Sequence, residues 1–373
     1  MSSPMPAVHY GWMVSPYSAK TRSYLRYAGV THTDTAPTAW MLYRKIQPAV
    51  GRMIMPTVQL ADGTWLQDSS AIIDHFEAQA DTPTVIPQGP TQAVACALLE
   101  VFADEWLPMA ALHYRWNTPE NKAFALSEFA SCAVPWLPQV LVRPIVRPMA
   151  DRLQGYLPLL GVTAATQAAV EQTVQVALEC LEAQLGQTPF ILGERPCLGD
   201  FALFGPLWAH LYRDPGSRHL FDAHPAVVRW MDHLCGQPEA SGEFLPDDEV
   251  PACLHPLFAC ILTDQWAWMA TLESAIHEYC TAHPEATRVP RALGEADFVI
   301  RGTPGRRKLI TQVQWKAQRA RQAYDRAQGA ADAWLTEVLG LPQGTDVSQR
   351  ITEFRHPVVM ADFKPVLADS PQA

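Results

Sequence analysis

Hydrophobic and polar positions change period along the chain, and the change divides it. Over the first 80 residues, short apolar runs alternate with helical stretches. Val8 to Val14 reads as a strand, Ser15-Pro16 breaks it, and Ala19 to Ala28 reads as a helix closed by Gly29. A second strand fits Val30 to Thr35. After a loop and a short helical piece holding Trp40 and Tyr43, Met53 to Leu60 is β-rich and interrupted by Pro56. Asp62-Gly63 makes a hairpin turn into Trp65-Leu66, and a helix resumes from Ser69 to Gln79. The order is βαβ, then ββα.

From about residue 92 the period becomes helical. Ala93 to Trp116 is a long amphipathic segment, and Val170, Val174, Leu178, Leu181 and Leu185 recur at steps of three and four. Between them, Pro135, Pro138, Pro144, Pro148 and Pro158 break an apolar stretch, so helices there are expected to be short. Gly236 to Pro251 reads as a linker or long surface loop. Beyond it, Pro256 to Ala282 is helical, and Phe298 to Ile300 pairs with Leu309 to Val313 as a hairpin turning at Gly302-Thr303-Pro304-Gly305. Trp315 to Leu339 is a polar helix, and the last thirty or so residues are expected to be draped or poorly ordered.

Composition narrows the function classes. The chain has 373 residues, 48% hydrophobic and 18% charged, with a formal net charge of −10. It is too apolar for a disordered protein and long enough for two domains with an appendage. Eight cysteines show no C-x-x-C pair, no basic apolar leader is visible, and no uncharged stretch is long enough to span a bilayer. A cytoplasmic protein that does not act on a membrane is expected. Residues 288 to 326 hold ten basic and three acidic side chains, but lack a binding motif or interleaved aromatics, so they read as a solvated face and not as a nucleic-acid site. The dispersed His and Cys residues give no metal spacing, and there is no H-E-x-x-H, Walker loop or G-x-S-x-G.

Several motifs fall at defined places in this order of elements: Ser15-Pro16-Tyr17-Ser18 with Lys20 after the first strand, Met55-Pro56 before Thr57-Val58, and Gln67-Asp68-Ser69-Ser70-Ala71-Ile72-Ile73 at the third helix. Leu192-Gly193 followed by Pro196-Cys197-Leu198-Gly199-Asp200-Phe201-Ala202 is a weaker one. With these motifs the sequence resembles the cytosolic glutathione S-transferase superfamily over about residues 7 to 235. The resemblance implies an α+β fold, with a thioredoxin-like βαβ-ββα domain (1–82) that binds glutathione and an all-helical domain (92–236). A C-terminal extension (252–373) of helices and a hairpin lies outside it.

The resemblance also implies a site. A cis Met55-Pro56 would present the Met55 backbone to glutathione as an added strand. Asp68 and Ser69, at a helix start, would meet the ammonium and hold the α-carboxylate, although a lone Asp-Ser is also an ordinary N-cap. Serine at both positions that carry redox thiols in such folds excludes disulfide exchange there. The Ser15 hydroxyl would instead donate to the glutathione thiolate, with Tyr10 and Tyr17 as alternative donors. Lowering a thiol pKa by about two units takes about 2.7 kcal/mol, within reach of one charge-assisted hydrogen bond plus a helix dipole. Lys45 or Arg52 would hold the far carboxylate. Trp12, His113, Tyr114, Arg115 and Trp116 are candidates for the pocket of the second substrate, a small hydrophobic electrophile, because charges stand among the aromatic rings; an aromatic run on a helix is otherwise core.

The expected activity is conjugation or glutathione-dependent cleavage by a homodimer, with glutathione as co-substrate. The alternative is a non-catalytic binding or scaffold protein on the same fold. Ser15 to Lys20 followed by Tyr24-Leu25-Arg26-Tyr27-Ala28-Gly29 also looks like the metaxin-type branch, which works through protein contacts.

Overall fold

Besides a helical stretch over 39–50, four strands and two helices build the N-terminal part. They are β1 (Ala7–Tyr10), α1 (Pro16–Tyr27), β2 (His32–Thr35), β3 (Thr57–Gln59), β4 (Trp65–Gln67) and α2 (Ser69–Glu77). The sheet order is β2-β1-β3-β4. β1 and β2 are parallel, which the α1 crossover permits, and β3 runs antiparallel to both β1 and β4. The computed structural model describes residues 6–80, 82–236 and 242–370. The fold class is α+β.

The chain gathers into two compact units. One comprises Met1–Val85, Ala111–Gly155 and Arg195–Gly242; the other comprises Ile86–Ala110, Tyr156–Glu194 and Glu243–Ala373. In the first unit, α1 packs on the helix Leu198–Pro206. Tyr24 and Tyr27 set their rings 5.7 and 5.6 Å from that of Phe201. The approach is close enough that a Cβ at Gly205 would stand 2.6 Å from the Pro16 carbonyl oxygen, so only glycine fits there. Asp200 secures the start of the same helix, accepting from the Cys197 amide and the Trp230 indole, each at 2.8 Å.

In the second unit, the extension folds onto the helix Pro90–Val101 and the π-helical turn Phe102–Trp106. Arg307 is buried over the Trp106 and Trp268 rings at 4.7 and 5.6 Å and donates to the Glu105 carbonyl. Burial lowers its pKa to about 10. Lys316 makes a buried ion pair with Asp104. Arg307 and Lys316 are therefore internal, which corrects the reading of a solvated face for these two; Arg288, Arg291, Arg301, Arg306 and Arg326 of the 288–326 strip are exposed, as that reading expects. Asp248, in the stretch read as a linker, caps Pro90–Val101 by accepting from the Thr91 and Gln92 amides at 2.7 and 3.0 Å. Residues 237–241 of that stretch lie outside the described residues.

Other local expectations also change. β1 stops at Tyr10 because Trp12 turns inward and donates its indole N–H to the Pro37 carbonyl. The helix Gln139–Gln154 runs sixteen residues through Pro144 and Pro148. Both prolines are exposed, so water can satisfy the carbonyls they leave unpaired. The hairpin Ala292–Ile300/Thr303–Ile310 turns earlier than expected, at Arg301-Gly302, both at positive φ. The expected helix 315–339 breaks at Gln328-Gly329, also left-handed, into Val313–Ala327 and Asp332–Val338. The final segment forms a hairpin, Val358–Ala361/Lys364–Leu367. Among the described residues, no helix is long and apolar enough to cross a membrane.

Two histidines of the first unit are held neutral. His9 is buried in β1, with Nδ1 2.8 Å from Asp34 and Nε2 2.8 Å from Thr21 Oγ1. Burial lowers its pKa despite the carboxylate. Burial, and then the Arg115 charge, push His210 well below its ordinary value. Both groups bind a proton more readily in the unfolded chain, so stability rises with pH across their titration. Their contribution is present above about pH 6.5 and is lost below it. We predict a melting temperature that falls between pH 7.5 and 5.5, before carboxylates titrate; a flat profile over that window would contradict the assignment.

Candidate active site

Ser15 stands where β1 hands over to α1. Its backbone is extended (φ −94°, ψ 120°), the geometry of an N-cap, and its Oγ accepts from the Ser18 amide at 3.3 Å. Pro16 follows at the first helical position, where a missing N–H costs nothing. Because Oγ accepts from within the helix, its own hydrogen is left to donate outward. The positive end of the α1 dipole lies at the same point.

The loop before Ser15 is held at both ends by buried arginines. Arg115 donates from Nη1 to the Val14 carbonyl at 2.8 Å and from Nη2 to the Ala209 carbonyl at 2.7 Å. Its Nε and Nη2 grip both oxygens of Asp214, each at 2.7 Å, and the two side chains are 2% and 1% exposed. At the other end, Arg22 donates from Nη2 to the Gly11 carbonyl at 3.1 Å and from Nε to Asp34. Burial alone would raise the Asp34 carboxyl, but the hydrogen bonds from His9 and Arg22 outweigh it and hold the group well below the usual carboxylate range. Gly11 is required here, since a Cβ would stand 2.6 Å from Ser18 Cβ and Oγ.

The proposed pocket residues are thus placed differently from expectation. Arg115 is corrected from a substrate contact to a positioning residue, because its polar atoms are spent inside the protein. Trp12 and Trp116 are buried against Phe129, with ring centroids at 5.4 and 5.9 Å, and so belong to the core. His113 is buried, with Nδ1 2.9 Å from Asn117 Nδ2. Tyr114 is half-buried, edge-on to His113.

The other half of the site lies on β3, β4 and α2. Met55-Pro56 is cis, directly before β3. Asp68 caps α2 at φ 81° and ψ 132°, a conformation that side chains other than glycine rarely adopt, and its Oδ1 accepts from the Ser70 amide at 2.9 Å. Ser69 is buried beside it. Lys20 of α1, 1% exposed, directs Nζ to Ser70 Oγ at 3.4 Å and so brings a cation to the same helix start. Arg52 donates to Gln67, next to Asp68, at 3.0 Å. Lys45 instead donates to the Tyr10 hydroxyl and lies over the Tyr10 and Trp65 rings. Tyr10 is 2% exposed and stacked on Trp65, so its hydroxyl serves Lys45. Tyr17 is half-buried in the first turn of α1.

Residues 14–79 match the family model of the glutathione S-transferase N-terminal domain, and residues 138–238 match that of the C-terminal domain. These segments are glutathione S-transferase domains. Ser15, Met55, Pro56, Asp68 and Ser69 all fall within the segment that matches the N-terminal domain, and residues 239–373 lie beyond both matches. No curated protein matches the chain. Among solved structures, a β-etherase from Sphingobium sp. strain SYK-6 is 15% identical, covering 63% of this chain and 96% of its own, with a TM-score of 0.44. A glutathione S-transferase from Methylobacterium radiotolerans JCM 2831, in complex with glutathione sulfonate, is 18% identical, covering 65% and 99%, with a TM-score of 0.40. One from Xanthobacter autotrophicus Py2 is 21% identical, covering 66% and 100%, with a TM-score of 0.37.

The strained backbone of Asp68 allows folding and ligand binding to be tested separately at this candidate site. Glycine would relieve about 1 kcal/mol of strain and lose only a few tenths as a cap. Asp68→Gly is therefore expected to raise the urea midpoint while weakening glutathione retention at least tenfold. A variant that loses stability, or binds glutathione unchanged, would refute the division.

Proposed function

We propose that this chain binds glutathione along β3 and the start of α2 and uses its thiolate, held at Ser15, to attack a small hydrophobic electrophile. The observation that carries the reading is the Ser15 hydroxyl, capped from within the helix and free to donate, at the positive end of α1. The cis Met55-Pro56 and the Asp68-Ser69 helix start of the same unit support it. The Met55 backbone would pair with the peptide as an added strand, and the α2 start with Lys20 would attract the α-carboxylate. Asp68 would meet the ammonium. Arg52, tied beside Asp68, and Lys45, over the aromatic pair, remain the two candidates for the second carboxylate.

The chemistry requires little of the protein. The bound thiol loses its proton to solvent, the Ser15 hydroxyl donates to the sulfur anion, and sulfur forms a bond to the electrophilic carbon as the leaving group departs with its electron pair. A serine cannot form the mixed disulfide that a cysteine there would. Conjugation and ether cleavage share this step, and the substrate decides between them. The working form is proposed to be a cytoplasmic homodimer.

The test is turnover of a model aryl halide with glutathione. Wild-type protein is expected to conjugate it, and Ser15→Ala to lose about a hundredfold in kcat/KM, the equivalent of about 2.7 kcal/mol, with glutathione affinity kept within a few fold. Retention on immobilised glutathione without turnover would favour the scaffold alternative. No retention at all would end the glutathione reading and leave only a scaffold that works through protein contacts.

A further inference from the structure

In the first unit, the helix Gln139–Gln154 packs on the helix Pro119–Ala133, burying Val142, Val146 and Ala150. Side chains tie the two together. Gln139 donates to Ser131 Oγ at 2.6 Å, Arg143 donates to Ser127 Oγ, and Lys122 donates to Asp151 and Gln154 at 3.3 and 2.7 Å. The opposite side of Gln139–Gln154 carries two further apolar rows at i, i+4 spacing. Val140, Pro144 and Pro148 form one row and Leu141, Ile145 and Met149 the next, and all six are exposed. Trp136 and Leu137 continue both rows in the turn before the helix. Val140 is 74% exposed, and Ile145 and Trp136 are each 67% exposed.

A surface helix ordinarily keeps its apolar stripe for the core and turns charge to water. Here the outer side is as apolar as the inner one, and a contiguous patch of this kind marks contact with a membrane or another protein. Charge and backbone chemistry decide between them. The helix holds three arginines, Arg143, Arg147 and Arg152, against one acidic residue, Asp151. The Arg147–Asp151 pair is 3.8 Å apart with both side chains exposed, so it holds Arg147 only weakly. A second copy packed antiparallel on this face would set Arg143 and Arg147 beside their own counterparts, where like charges repel. Pro144 and Pro148 have no N–H, so the carbonyls of Val140 and Pro144, along the first row, lose their helical partners. A dry protein interface would strand those carbonyls, whereas the headgroup zone of a bilayer is hydrated. Trp136 suits the same zone, with an apolar ring and an N–H that stays wet.

We propose that this face binds the surface of an anionic membrane, with the two apolar rows at the boundary between headgroups and acyl chains and the arginines meeting lipid phosphates. A helix lying in the interface needs no spanning length, so the face revises the expectation of a protein that does not act on a membrane. The net charge of −10 belongs to the whole chain, and at physiological salt only charges within about 8 Å of the lipid act strongly. The inference is independent of the glutathione reading.

Flotation of the full chain with vesicles of equal parts phosphatidylcholine and phosphatidylglycerol tests it. Binding is expected, at least tenfold weaker to phosphatidylcholine alone and weakened by salt. Ile145→Glu, on an exposed position, is expected to lose at least tenfold in binding with an unchanged melting temperature, and Arg147→Gln to lose about fivefold. Lipid brominated in its acyl chains is expected to quench the tryptophan fluorescence of the wild type, and Trp136→Phe to bind with most of that quenching gone, a readout that does not depend on Ile145→Glu folding. No flotation with anionic vesicles, equal binding to neutral ones, Ile145→Glu that binds like the wild type, or full quenching in Trp136→Phe would each overturn the assignment. A dimer that Ile145→Glu dissociates, without vesicle binding by the wild type, would give the face to a second copy instead.

Discussion

The site depends on a buried ion pair, Arg115 with Asp214. Two charges so far from water are costly, and the cost is offset only where geometry is close to ideal and the remaining donors are satisfied. Here the guanidinium meets both carboxylate oxygens and spends its other N–H groups on the Val14 and Ala209 carbonyls. Arg22, with Asp34 as its counter-ion, does the same for Gly11. The segment Gly11–Val14 is thus held by a buried cation at each end, and Ser15 follows it. A hydroxyl meant to stabilise a thiolate has to be placed before the sulfur arrives, and rigid backbone anchors achieve that better than a flexible loop.

The second unit uses the same chemistry for a different end. Arg307 over two indoles and Lys316 against Asp104 bury the charge of the extension against the 90–106 segment. Breaking such a pair by removing one partner costs about 3–5 kcal/mol, whereas the pair itself adds little net stability, so these contacts act mainly to specify which surfaces pack. Asp248, from a stretch that reads as featureless, supplies the N-cap of Pro90–Val101 in the same way.

How much of this could be read from the sequence follows from the range of each interaction. The βαβ-ββα order, the proline before β3 and the Asp-Ser at the start of α2 are local patterns, and they were legible because turn residues and periodicity are local. The Arg115–Asp214 pair spans 99 residues and left no periodic trace. Arg115 stood among aromatic residues as a substrate-facing cation would, and only its partners reveal that it faces inward. Tyr10 misled for a similar reason, since its hydroxyl is committed to Lys45 from 35 residues away. In the helix Gln139–Gln154, the prolines read locally as breakers; which face they occupy, and hence whether water can replace the lost bonds, is a tertiary fact.

In the proposed reaction, buried cations position Ser15 to ionise a bound thiol. The most direct measurement is the thiol pKa of glutathione bound to the wild-type protein and to Arg115→Lys, followed by thiolate absorbance in the ultraviolet. Lysine keeps the charge opposite Asp214 but loses the fork that also reaches Val14. A pKa about two units below that of free glutathione is expected in the wild type, and a return most of the way to the free value in the variant, with glutathione still bound. A wild-type thiol that titrates like the free tripeptide, or an Arg115→Lys variant with the wild-type pKa, would contradict it.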